Sequence, residues 1–239
     1  MSKSDEFSQK FQELYPERDG KKEEIKKLDF LTGQSNRVTI IRNCENQVIK
    51  CFEQFSLLKL MWSALNSNGC KLDLTRNFSC EYCQPGTSDA HIGNFDSDKN
   101  QIIVCANNLS SSCCGFLLRE TISMFDKCTK KSENLTKTQN LEHLACTEIR
   151  KANLASCNFS VNLTRKDANF VIDNQHQNCV RSVAIESLQK TRFLSQDQST
   201  QLVDKTFDKC YKDLEPIGRR AINKLDMMRA YHERYLFGY

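Results

Sequence analysis

Thirteen cysteines constrain what this chain can fold into more than any other feature. They stand at positions 44, 51, 70, 80, 83, 105, 113, 114, 128, 146, 157, 179 and 210 of 239 residues. That density is foreign to a reduced cytosol and points to an oxidising compartment or to metal binding. The odd count leaves at least one thiol free or intermolecular. Cys80-x-x-Cys83 as half of a zinc ribbon would need a second pair at ligand spacing. The nearby pair, Cys113-Cys114, is adjacent and awkward for tetrahedral chelation. Disulfides to scattered partners are the other reading, with a connectivity the sequence leaves open.

The N-terminal segment does not explain how such a chain would be oxidised. Met1 to Phe30 alternates acids and bases without the apolar stretch of a secretory signal. A matrix presequence is poor in acids, yet Asp5, Glu6, Glu13, Glu17 and Asp19 lie here. Without a secretory route, the sequons at Asn77, Asn108, Asn134, Asn158 and Asn162 read as chance matches. No apolar run approaches the roughly 18 residues of a membrane span. The longest, Phe55 to Leu65, is interrupted by Lys59 and Ser63.

A net charge of +4, spread along the chain, argues against nucleic acid as a partner. The segment after Pro216 is the exception, with Arg219, Arg220, Lys224, Arg229 and Arg234 against Asp226 and Glu233. It reads as a solvated helix, or as a contact with anionic lipid or an acidic partner.

Residues 1–40 form a polar arm, and 41–239 a single cysteine-rich domain. From Asn43 to Asn66, Val48, Cys51, Phe52, Phe55, Leu58, Trp62 and Leu65 recur at helical spacing, and Gly69 offers a helix stop. Leu72-Asp73-Leu74-Thr75, His91 to Phe95 and Gln101 to Cys105 are short strand candidates, with Gln101 to Cys105 as the edge. Helices are expected near 111–129, 138–156, 165–191, 196–212 and 220–236.

One helical stretch carries the chemical question. Arg119-Glu120-Thr121-Ile122-Ser123 lies in an apolar run where a zinc-peptidase helix would read His-Glu-x-x-His. The glutamate is kept as Glu120; Arg119 and Ser123 replace the histidines. His91, His143, His176 and His232 are the four histidines, and no two stand four residues apart. A guanidinium in a former metal position repels a divalent cation. It could replace that cation by pairing with Glu120 or Glu148, or it could face solvent without a partner.

The flanks carry a resemblance. Gly69-Cys70, Phe78-Ser79-Cys80-Glu81-Tyr82-Cys83, Gly93-Asn94-Phe95-Asp96 and Gln101 to Asn108 form its upstream part. Phe125-Asp126, Cys128, His143 to Arg150, Ala152-Asn153-Leu154, Cys179-Val180-Arg181 and Glu215 to Arg219 continue it. In order and spacing the series resembles the mitochondrial metalloprotease family that processes and assembles ATP synthase from the intermembrane-space side of the inner membrane.

The resemblance implies an α+β, zincin-like fold, with a small sheet before the former active-site helix and mostly helices otherwise. It implies oxidation in the intermembrane space without a cleaved presequence. Cys70, Cys80, Cys83, Cys105, Cys128, Cys146, Cys157, Cys179 and Cys210 are then the candidate bridge residues, and Glu148 matches the family's downstream acidic residue.

With both helical histidines replaced, the expected protein is a catalytically inactive homologue, without cofactor or metal. It would be a structural or assembly subunit of a respiratory-chain or ATP synthase complex, peripheral to the inner membrane and partnered by that complex's subunits. Two alternatives are an active metallopeptidase with rearranged ligands, such as His143 and cysteine, and a redox or metal carrier using Cys80-x-x-Cys83 or Cys113-Cys114.

Overall fold

A computed structural model describes residues 37–83, 92–109, 112–129, 137–157, 169–192 and 194–239. Most of the arm at 1–40, His91 and the start of the expected 165–191 helix lie outside these residues. Among these residues the fold is α+β, mostly helical with one three-stranded sheet. The described residues form two compact units, one drawn from 37–55 and 71–117, the other from 56–70 and 118–239.

In the first unit, helix α1 (Arg37–Gln54) buries Cys44, Val48, Cys51 and Phe52, a single face at helical spacing. A short helix, α2 (Ser56–Ser67), belongs to the second unit, so the continuous periodicity from Asn43 to Asn66 resolves into two helices. Gly69 adopts φ +82°, and the amide of Cys70 returns to the Leu65 carbonyl, the stop that its position suggested.

The expected strand at 72–75 is instead a cap and a turn of helix. Asp73 accepts from the Thr75 amide and hydroxyl, which starts α3 (Leu74–Asn77). The strand follows as β1 (Phe78–Glu81), with β2 (Gly93–Asp96) and β3 (Gln101–Cys105). Sheet order is β1-β3-β2, with β1 parallel and β2 antiparallel to β3.

Gln101–Cys105 is therefore the central strand and not the edge. Its Ile102, Val104 and Cys105 are buried, as suits a strand covered on both faces. Gly93 is demanded by close approach, since a Cβ there would lie 1.9 Å from the Ile103 carbonyl oxygen. Bridges Cys44–Cys80 and Cys83–Cys105 tie this unit together.

In the second unit, α2 buries Leu57, Leu58, Leu60, Met61, Ala64 and Leu65. Helix α4 (Cys113–Thr129) joins the second unit from Leu118 onward. Its earlier residue Cys114 bridges to Cys51 within the first unit. Helix α5 (Lys137–Lys151) runs into a π-helical turn, Ala152–Ser156, and packs against α6 (Asn169–Arg192) and α7 (Gln196–Lys212).

Small residues at the crossings, Ala145, Ala152 and Ala184, let these helices close around Ile149, Val180, Leu188, Val203 and Phe207. Ser195 and Gln198 form a reciprocal capping box that fixes the start of α7. Bridges Cys70–Cys128, Cys146–Cys210 and Cys157–Cys179 complete this unit. Helix α8 (Lys224–His232) and a 3₁₀ turn, Arg234–Phe237, end the chain. Among the described residues, no helix is long and apolar enough to cross a membrane.

Candidate functional site

The apolar face of α4 (Leu117, Leu118, Ile122, Phe125) is buried, which turns Arg119 and Glu120 towards α5 and α6. On α5, Glu148 and Lys151 are three residues apart and share one face. Ser187 comes from α6. Together these side chains form a closed network of alternating charge.

Arg119 Nη2 donates to Glu148 Oε2 at 3.1 Å and to the Ser187 hydroxyl at 2.9 Å. That hydroxyl donates to Glu148 Oε2 at 2.7 Å. Lys151 Nζ lies 3.0 Å from Glu148 Oε1 and 3.3 Å from Glu120 Oε1. Arg119 Nε stands 3.8 Å from Glu120 Oε1. Glu120, Glu148, Lys151 and Ser187 are buried, while the Arg119 side chain keeps 27% of its surface accessible.

Two cations thus balance two carboxylates. Ser123, one turn on along α4, is half-buried and stands outside the network. His143 is half-buried on α5, His176 is buried with Nδ1 2.9 Å from the Tyr211 hydroxyl, and His232 is exposed on α8. Cys146 is bridged to Cys210, so a His143–cysteine ligand pair has no thiolate to use.

Burial pushes the carboxyl pKa of Glu148 upward, but Lys151, Arg119 and the Ser187 hydrogen bond outweigh it. The net value lies below the ordinary 4.5. A depressed carboxyl contributes stability that is present above its unfolded pKa and is lost as pH falls through the folded one. Denaturation midpoints should hold from neutrality down to about pH 4.5 and then fall, a fall that Glu148→Gln should flatten.

Catalytic zinc takes about three protein ligands, chiefly imidazole, thiolate or carboxylate, with an open position for water. The donors here do not fit it. Both carboxylates are paired with Lys151 and Arg119, and the Lys151 ammonium lies within 3.3 Å of an oxygen of each. Among the described residues, no group of three or more His, Cys, Asp or Glu is arranged to hold a metal.

The cysteine pairs singled out from sequence are likewise committed. Cys80 bonds Cys44, Cys83 bonds Cys105, and Cys114 bonds Cys51. Neither C-x-x-C nor Cys113-Cys114 is a vicinal dithiol, which removes the carrier reading. All nine candidate bridge cysteines are paired, and Cys44, Cys51 and Cys114 join them. Cys113 is free and buried, its thiol pushed up to about 11 by burial and therefore unreactive at neutral pH.

The profile of the Peptidase M76 family matches residues 42–218. The chain belongs to that family. Its relatives include the mitochondrial inner membrane protease ATP23 homolog of Danio rerio, 33% identical over 92% of this chain and 82% of that protein. The Xenopus laevis homolog is 33% identical over 92% of this chain and 89% of its own length. For the Homo sapiens homolog the figures are 33%, 80% and 75%. No solved structure matches.

These comparisons correct the functional expectation drawn from the sequence. The M76 family is one of peptidases, and the relatives are named proteases, not inactive subunits. The expectations of a non-enzyme and of a structural or assembly subunit of a respiratory-chain or ATP synthase complex are therefore set aside. The peptidase alternative is the one the family supports.

Lys151 and Ser187 are the site residues that the sequence reading missed. Lys151 had a local signal, standing three residues after the acidic candidate Glu148. Ser187 lies 68 positions from Arg119 and had none.

Proposed function

We propose that this M76 family member acts as a protease on polypeptides at the mitochondrial inner membrane, from the intermembrane-space side. The observation that carries this reading is the match to proteases named for that membrane over nine-tenths of the chain. Six disulfides support the oxidising side of the membrane. Polypeptides met there, subunits of inner-membrane complexes, would be its substrates and partners. Helix α4 would serve as the active-site helix of a zincin-like arrangement.

Since the site does not fit zinc, hydrolysis would fall to the chain's own groups. Glu120 would take the proton of the attacking water and return it to the leaving amine. The part-exposed Arg119 guanidinium would stabilise the oxyanion of the tetrahedral intermediate.

The test incubates the purified, oxidised chain with an unfolded protein and identifies new peptide termini by mass spectrometry. Cleavage that survives a chelator and falls by about a hundredfold or more in Glu120→Gln supports the proposal. No cleavage by the bridged chain, or cleavage indifferent to Glu120, overturns it.

A further inference from the structure

The last turns of the chain leave large apolar side chains in water. Leu225 is 55% exposed, Met228 40%, Tyr235 69%, Leu236 65% and Phe237 49%. Five large apolar groups exposed within thirteen residues are a feature of the kind that marks a contact surface.

The local structure shows why these groups face outward. Helix α8 buries Met227 and Ala230, and it packs on α2. At 3.6 residues per turn, Lys224, Leu225, Met228, Arg229 and His232 fall together on the opposite side, and all five are exposed. No carboxylate interrupts that stripe. The Asp226 carboxylate accepts from the Ile222 amide at the helix start, and Glu233 pairs with Arg219.

Beyond the helix, the 3₁₀ turn holds Tyr235, Leu236 and Phe237. The Phe237 ring lies over Gly218, where a Cβ would come within 2.6 Å of it. Gly218, at φ +76°, thereby leaves room for the ring.

We propose that this stripe and turn form a foot that seats the protein on an anionic membrane surface. The chemistry is that of an interfacial helix: an apolar face flanked by Lys and Arg, with an aromatic residue at headgroup depth. Charge complementarity selects lipid phosphate as the occupant, since the exposed cations Lys224 and Arg229 lie beside Leu225 and Met228.

The test is flotation of the oxidised chain with phosphatidylcholine vesicles, with and without cardiolipin. Binding is expected only to the cardiolipin vesicles and should weaken as salt rises. Lys224→Glu with Arg229→Glu should weaken it about tenfold or more, from roughly 1 kcal/mol per surface cation. Leu225→Glu with Leu236→Glu should abolish it even at low salt. These positions are exposed, so intact bridges and unchanged cleavage of a soluble substrate would separate the foot from the site. Equal binding to both vesicle types, or variants that bind like the parent, overturns the proposal. So does a chain that ignores vesicles but uses these residues to hold a protein partner.

Discussion

Reduction should unfold this protein at room temperature. The six bridges close loops of 22 to 64 residues. Each contributes about 3–4 kcal/mol by restricting the unfolded chain. Two or three such contributions equal the roughly 5–15 kcal/mol by which a domain is normally stable. Circular dichroism melts with and without a phosphine reductant should therefore show a cooperative transition only in the oxidised sample. The free thiol Cys113 should resist alkylation until that transition, because it is buried and protonated. An unchanged melt with every thiol accessible in the folded protein would contradict both the bridges and the compartment they imply.

The second large effect is expected at Glu148. Replacing it by Ala leaves Lys151, buried at 5% exposure, with Glu120 alone, and removes one acceptor of Arg119 and the carboxylate that accepts from Ser187. Breaking a buried ion pair from one side costs about 3–5 kcal/mol. At this chain length that is a drop in melting temperature of about 10 °C. Combining Glu148→Gln with Lys151→Met leaves one cation facing one carboxylate, and should recover part of the loss. Urea unfolding of the parent, both single variants and the double variant reads the coupling directly. Purely additive losses would mean that the network is not a unit.

Much of the helical architecture was legible in the sequence. The start of α7 at Gln196 carries its own capping signal in Ser195 and Gln198, and the expected and observed ranges coincide. The break at Phe55 was invisible because apolar spacing continues across it into α2. At Leu72 to Thr75 the alternating pattern suggested a strand, but the Asp73 side chain competes for backbone amides and caps a helix instead. Ile102-Ile103-Val104 is a continuous apolar run, the mark of a strand covered on both faces, and it forms the centre of the sheet, not its edge.

The site was half legible. Arg119, Glu120 and Glu148 could be named from a motif and a resemblance. Lys151 stands one turn beyond the acidic candidate Glu148, a spacing found on many helices and specific to no chemistry. Ser187 depends on how α6 packs against α4 and α5, and no local pattern encodes that. Disulfide connectivity is similarly a property of the fold, as Cys51–Cys114 across 63 residues illustrates.

The central claim is that Arg119 and Lys151, and not a metal ion, neutralise the buried carboxylates Glu120 and Glu148. Native mass spectrometry of the oxidised chain, before and after equilibration with zinc, tests it most directly. The spectrum also reports the bridges, through the loss of two hydrogens for each one formed. The predicted result is a fully bridged chain that carries no stoichiometric zinc at either stage. The variant Arg119→His with Ser123→His, which restores the two helical imidazoles beside Glu120, should differ and take up one zinc ion. One zinc per parent chain, held against a chelator and lost in Glu120→Gln or Glu148→Gln, would contradict the account.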